Sequence, residues 1–386
     1  MKYYLIAGEA SGDLHGSNLM KGLKKEDAEA EFRFFGGDLM SAEGGVLAKH
    51  YSEMAFMGFI EVLANLKTIL KNIRIAKKDV LAFKPDVIIL IDFPGFNMKI
   101  APFAKQENIK VFYYISPKVW AWNQKRVLKI KKYVDRMFCI LPFEVAFYKS
   151  WGMDVDYVGN PILDAISESS PDDQFKINHD LDVRPLIAFL PGSRKQELDR
   201  VLPEMVKAAD SFPEFQFVVA GAPTFTVDDY LPYLNGRKIP VIFNATYNLL
   251  RNSRAAVVTS GTATLETALL KIPQVVVYKG NPISIAIARL LVKIKFISLV
   301  NLVMNEAVVK ELIQEDCNST MIARELDMML NDKLYRTGML INYDELALIM
   351  GSPGASERAA GLMVGYLNGN DVPVISNQPA YRPAGR

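Results

Sequence analysis

An aspartate closes one of the most apolar runs in the chain: "DVIILID" ends on Asp92 and passes into "FPGFN", residues 93–97. A carboxylate at the rim of a dry strand is partly desolvated, which raises its pKa toward that of a useful general base. A turn or helix-cap aspartate is the alternative. "LPGSRKQEL" (190–198) puts Ser193 and Arg194 where a strand gives way to a helix, so a hydroxyl, a guanidinium and backbone donors face one point. That set suits a diphosphate, although Arg194 alone also fits a surface ion pair. "SGTATLETALL" (260–270) repeats the arrangement, with Gly261 and Thr262 at a helix start and Glu266 four residues after Thr262 on the same face. Thr262 then either caps the helix or meets phosphate, and Glu266 is either solvated or accepts both hydroxyls of a ribose. The opening "AGEASGDLHG" (7–16) contributes Ser11, Gly12 and Asp13. A small-residue exit from strand to helix lets an anion approach free backbone N–H groups; a tight βα turn is the plainer reading. "YYISPKVWAWNQKR" (113–126) sets Trp120 and Trp122 beside a proline and a basic cluster, as a wall for an amphiphilic substrate or as a buried pair.

These residues need strand ends to stand on. Strands are expected at "KYYLIAG", "FRFFGG", "DVIILID", "KVFYYIS" and "MFCILP", then at "LIAFLPG", "FQFVVAG", "PVIFN", "AAVVTSG" and "QVVVYKG", with helical stretches between them. Apolar strands separated by helices make parallel sheets covered on both faces. Two such sheets imply an α/β protein of two Rossmann-like domains, with ligands beyond the C-terminal strand ends. The domains are expected at 1–165 and 166–345, joined near the Ser/Pro/Asp cluster at 167–173. A helix at 346–370 would pack back on the first domain or on a partner chain, as in a homodimer, and 371–386 is a Pro-rich tail.

Composition excludes several classes. A length of 386 residues favours two domains, and 50% hydrophobic with 23% charged residues is ordinary for an enzyme with large cores. A net charge of +2 makes no global case for nucleic acid. Two cysteines and three scattered histidines form neither a disulfide framework nor a metal-ligand spacing, and a reducing cytosol fits them. The N-terminus lacks a signal-peptide pattern, and the greasiest region, "ISIAIARLLVKIKFISLV", is interrupted by Arg289, Lys293 and Lys295.

In order, "AGEASGD", "MGFIEVL", "IDFPGFN", "SPKVWAW", "LPFE", "VGNP", "LPGSR", "SGTATLE", "VVVYK" and "ISLVNL" resemble the motif set of the lipid-A-disaccharide synthase family, from about residue 3 to about residue 330. The resemblance implies a GT-B architecture, two Rossmann-like domains facing across a cleft. It implies an inverting transfer from UDP-2,3-diacylglucosamine to 2,3-diacylglucosamine 1-phosphate, giving a β-1′,6-linked disaccharide and UDP. Asp92 matches the carboxylate proposed as base and Arg194 the nucleotide-side arginine. Substrate contacts are implied at Ser11, Gly12, Asp13, Asn97, Trp120, Ser193, Gly261, Thr262, Glu266, Tyr278 and Asn301. Two positions depart from the pattern. Gly95 replaces a second acid, leaving Asp92 alone there, and Glu306 with Ala307 replaces an Arg-Glu pair, so neither is given a binding role.

No Asp-x-Asp metal motif stands out, so no cofactor or metal is expected; helix N-termini and Arg194 would stabilise the departing UDP. Acylated substrates must be met at a membrane. The apolar residues Met57, Phe59 and Ile60 precede Lys67, Lys71, Arg74, Lys77 and Lys78, which suits the anionic inner face of the cytoplasmic membrane, the alternative being an amphipathic core helix. A UDP-N-acetylglucosamine epimerase shares the two-domain plan and is the rival enzyme; a non-catalytic nucleotide-sugar or lipid binder is the rival outside enzymology.

Overall fold

Strands such as "VIILI" and "LIAFL" carry an apolar side chain at every position, so neither face tolerates water and each must be covered by helices. The computed structural model, which describes residues 1–54, 66–281 and 295–370, meets that demand twice. Among the described residues, one unit combines Met1–Asp164 with 352–370, and the other is Ala165–Gly351.

The first unit holds β1 (Lys2–Ala7), β2 (Glu31–Gly36), β3 (Val46–His50), β4 (Val87–Ile91), β5 (Lys110–Tyr114), β6 (Arg136–Cys139) and β7 (Asp156–Tyr157). All pairings are parallel, in the order β3-β2-β1-β4-β5-β6-β7. Alternation divides the strands between two cores. Tyr4, Ile6, Ile88, Leu90 and Tyr113 pack on one face, and Tyr3, Leu5, Ile89, Phe112 and Tyr114 on the other. Each large side chain so buried contributes roughly 1.5–3 kcal/mol. The second unit holds β8 (Leu186–Leu190), β9 (Gln216–Gly221), β10 (Val241–Phe243), β11 (Ser253–Thr259), β12 (Gln274–Tyr278) and β13 (Glu311–Ile313). They too are parallel, in the order β10-β9-β8-β11-β12-β13.

In both sheets the strand order reverses beside the first strand, between β1 and β4 and between β8 and β11. The connections on either side of such a point depart in opposite directions and leave a crevice at the strand ends, where ligands bind in this class of sheet. The ten expected strands are all present. The edge strands β3, β7 and β13 were not expected: "VLAKH" is largely exposed, and the other two have two and three residues, too short for a periodic signal.

The last described helix, Ala355–Leu367, belongs to the first unit and packs along the opening helix, Ala10–Glu26. Gly22 permits the approach, since a Cβ there would lie 2.9 Å from Cβ of Ala360. Tyr366 donates to Asp156 (2.8 Å), and the Arg358 Nε donates to the carbonyl of Val158 (2.9 Å). No described helix is long and apolar enough to cross a membrane.

Candidate active site

Asp92 leaves β4 in a strained turn. It and Phe93 both adopt left-handed backbone, with φ of 41° and 45°, a region that non-glycine residues occupy at a cost and that clusters at functional sites. Several neighbours hold it there. Asp92 N–H donates to the carbonyl of Tyr114 (3.1 Å), and its own carbonyl accepts from the Tyr113 hydroxyl and from Asn97 Nδ2 (2.8 Å). Gly8, across the switch point, makes room for the Phe93 ring, which would stand 2.3 Å from a Cβ. Burial pushes the Asp92 carboxyl up to about 6; Lys118 opposes the rise and Glu9 reinforces it. Gly95 is exposed with open space around its Cβ position, so Asp92 is the only carboxylate of this turn.

The glycine-rich exit from β1 works partly as scaffold. Gly12 lets the opening helix lie on β1, where a Cβ would come within 3.1 Å of Ala7 Cβ. Asp13 is buried, and its carboxylate accepts from the N–H groups of Gly37 (2.7 Å), Leu39 (3.0 Å) and Met40 (3.1 Å). It thus caps the short helix Asp38–Ala42 from another element, which leaves Ser11, of the three residues expected to bind there, with an exposed side chain. Asp13→Ala is expected to lower stability by at least about 1–3 kcal/mol, because buried donors lose their acceptor. Urea unfolding tests this; unchanged stability with weakened substrate affinity would return Asp13 to a ligand role.

Other residues expected to touch substrate also have polar atoms engaged by the protein, although Oδ1 of Asn97 is buried with no hydrogen-bond partner. Asn97 Nδ2 donates to carbonyls of Asp92 and Ile91, fastening the end of β4. Trp120 is buried against Phe143, and its indole N–H donates to Glu144 (3.2 Å). Glu144 also accepts from Leu141 N–H (3.0 Å), and desolvation pushes its carboxyl up to about 7. Asn301 pairs with both backbone groups of Val309 and with Glu311.

In the second unit, β8 ends at a turn governed by Glu197. Its Oε2 accepts from Ser193 N–H (3.0 Å) and Arg194 N–H (3.2 Å), and its Oε1 from the Arg194 guanidinium (2.9 Å). The N–H groups of Ser193 and Arg194, expected to face a diphosphate, are therefore occupied. What the turn offers is the Arg194 side chain, 62% exposed, beside the exposed Ser193. Beyond β11, Thr262 is exposed and makes no side-chain cap. Glu266 is half-buried and accepts from the Tyr247 hydroxyl (2.8 Å); desolvation raises its pKa. Tyr278 closes β12, half-buried. Met57, Phe59 and Ile60 lie outside the described residues. Among the described residues, no group of three His, Cys, Asp or Glu side chains is placed to hold a metal ion.

Sequence reasoning missed Glu144 and Glu197 as organising residues. A glutamate three positions past a turn, as in "LPFE" and "RKQE", is the capping signature that would have found both.

Residues 3–344 match the sequence profile of lipid-A-disaccharide synthetase. The chain belongs to the lipid-A-disaccharide synthetase family. The lipid-A-disaccharide synthase of Trichlorobacter lovleyi is 39% identical over 367 residues, covering 93% of this chain and 96% of that protein. That of Syntrophus aciditrophicus is 40% identical over 378 residues, covering 95% and 98%. Solved structures share the fold at far lower identity. A UDP-N-acetylglucosamine 2-epimerase from Listeria monocytogenes superimposes with a TM-score of 0.65 at 14% identity, covering 96% of this chain and 97% of that one. The glycosyltransferase of kitacinnamycin does so with 0.65 at 11%, covering 95% and 99%. The two-unit plan is thus common to GT-B transferases and epimerases. Membership of the lipid-A-disaccharide synthetase family makes the chain a glycosyltransferase of lipid A biosynthesis, and the epimerase alternative is not favoured.

Proposed function

We propose that the chain transfers 2,3-diacylglucosamine from its UDP derivative to O6 of 2,3-diacylglucosamine 1-phosphate, with inversion and release of UDP. The observation that carries this reading is the Asp92 carboxylate, strained, desolvated and fastened at the switch point of the first sheet. Asp92 takes the proton of the acceptor hydroxyl as its oxygen attacks the anomeric carbon. The bond to the diphosphate breaks, and Arg194 answers the growing charge on UDP. Glu266 accepts from the ribose, Ser193 and Thr262 supply hydroxyls to the diphosphate, and Ser11 supplies one to a substrate phosphate. Incubating the purified protein with both diacyl substrates and identifying the product by mass spectrometry tests the reaction. UDP release without acceptor, or a C2-epimerised nucleotide sugar, would overturn it.

No metal is assigned a role. Turnover is expected to survive EDTA; full loss restored by magnesium would refute a metal-free mechanism.

The membrane is the proposed meeting place. Lys67, Lys71, Arg74 and Lys78 line one exposed face of the helix Leu66–Phe83, interleaved with Leu70 and Leu81, 48% and 47% exposed. This pattern supports reversible binding to an anionic surface, with up to about 1 kcal/mol for each basic residue. Exchanging Met57 and Phe59 for Ser is expected to release the protein from anionic liposomes and to raise KM for membrane-presented acceptor, with little change in detergent. An equal loss in both assays would return these residues to a core role.

A further inference from the structure

Lys118 stands in "SPKVWAW" at the end of β5, the strand paired with β4, whose end carries Asp92. The register sets Ile91 beside Tyr114, and Asp92 N–H reaches over to the Tyr114 carbonyl, so the Asp92 turn and the segment after Tyr114 leave the sheet from neighbouring strand ends, and the Lys118 charge is felt at the Asp92 carboxyl. That segment is fastened on both sides of Lys118. Ser116 shares a hydrogen bond with the Tyr148 hydroxyl (2.8 Å), Pro117 and Val119 are buried, and Trp120 is tied to Glu144. Lys118 is the exposed residue in this buried run, at the start of the helix Val119–Trp122. Its ammonium makes no ion pair among the described residues.

We infer that Lys118 is a substrate-binding residue that receives the phosphoryl group of the acceptor beside the Asp92 carboxylate. The inference rests on the proposed role of Asp92 as base. A base placed at the acceptor's hydroxyl brings the phosphate of the same sugar within a lysine's reach. An ammonium held on a fixed backbone and engaged in no close ion pair among the described residues is a ready partner for a phosphate. Lys118 has a second effect. Among the described residues, the charged or titratable groups facing Asp92 are Glu9 from the start of the opening helix, Tyr113 from β5 and Lys118. Lys118 stabilises the carboxylate that Glu9 and burial disfavour, so it keeps the base ionised at neutral pH.

Steady-state kinetics of Lys118→Met, Lys118→Arg, Glu9→Gln and Asp92→Asn in detergent test the assignment. Lys118→Met is expected to raise KM for the phosphorylated acceptor about tenfold or more, leave UDP affinity alone, and move the acid limb of the kcat/KM profile to higher pH. Lys118→Arg should recover most of the affinity, and Glu9→Gln should move the acid limb to lower pH. An acceptor KM within about twofold of wild type with an unmoved limb overturns the role of Lys118. A KM change confined to the UDP-sugar overturns the assignment to the acceptor phosphate. Asp92→Asn separates the two readings: near wild-type turnover in that variant removes Asp92 as base, whereas its inactivity beside a normal Lys118→Met leaves the base in place and removes only Lys118.

Discussion

Asp92→Asn is expected to lower turnover by about 100-fold or more while leaving the fold and UDP binding intact, since loss of a general base typically carries that factor. The same carboxylate predicts a pH dependence. The reaction needs the ionised form, so kcat/KM of the native enzyme should fall as pH drops below about 6, the value to which burial lifts Asp92. Stability responds with the opposite sign. A carboxyl whose pKa is higher in the fold than in the unfolded chain stabilises the fold while protonated, and that contribution is lost as pH rises from about 4 through about 6. At pH 8 the ionised group is a destabilising element, and the Asn variant should melt at or above the wild-type temperature. Turnover near wild type would remove Asp92 from the chemistry. A lower Tm at pH 8 would contradict the desolvation argument.

Arg194→Ala is expected to weaken UDP binding by about 10- to 100-fold, the range for a charge-assisted hydrogen bond worth roughly 1.5–3 kcal/mol. The structure makes this variant informative. The guanidinium is largely exposed, its ion pair with Glu197 lies at the surface, and the turn is held through Glu197 and backbone N–H groups that the substitution leaves in place. Surface pairs of this kind contribute little to stability, so thermal unfolding should hardly change. Titration calorimetry with UDP is the direct measurement; unchanged affinity would place the nucleotide elsewhere on the second unit.

Placement and availability differ in how far they were legible. Asp92, Ser193, Arg194, Gly261 and Thr262 were readable because each follows an apolar run, and the structure sets the first at the switch point of one sheet and the others at the switch point of its counterpart. Asp13, Trp120, Asn301 and the Nδ2 of Asn97 belong to the same conspicuous motifs, yet these polar groups are committed to protein partners. Nothing in the local sequence says that the N–H groups of Gly37, Leu39 and Met40 lie over Asp13, because they arrive from a helix about two dozen residues away. A motif rich in polar side chains reports a site's neighbourhood, where the frame needs fixed polar contacts as much as the ligand does.

By itself, the sequence determined the two parallel sheets, their order of strands along the chain and the small-residue turns at the strand ends. Those follow from local periodicity, from runs buried on both faces and from small residues at strand exits. Only the tertiary structure decided which side chains remain free. The closing helix returns to the first unit through Gly22, Glu197 takes up the N–H groups of Ser193 and Arg194, and the Lys118 charge acts on the Asp92 carboxyl. The physical reason is that hydrogen-bond satisfaction and desolvation are set by neighbours distant in sequence, and a one-dimensional pattern does not contain them.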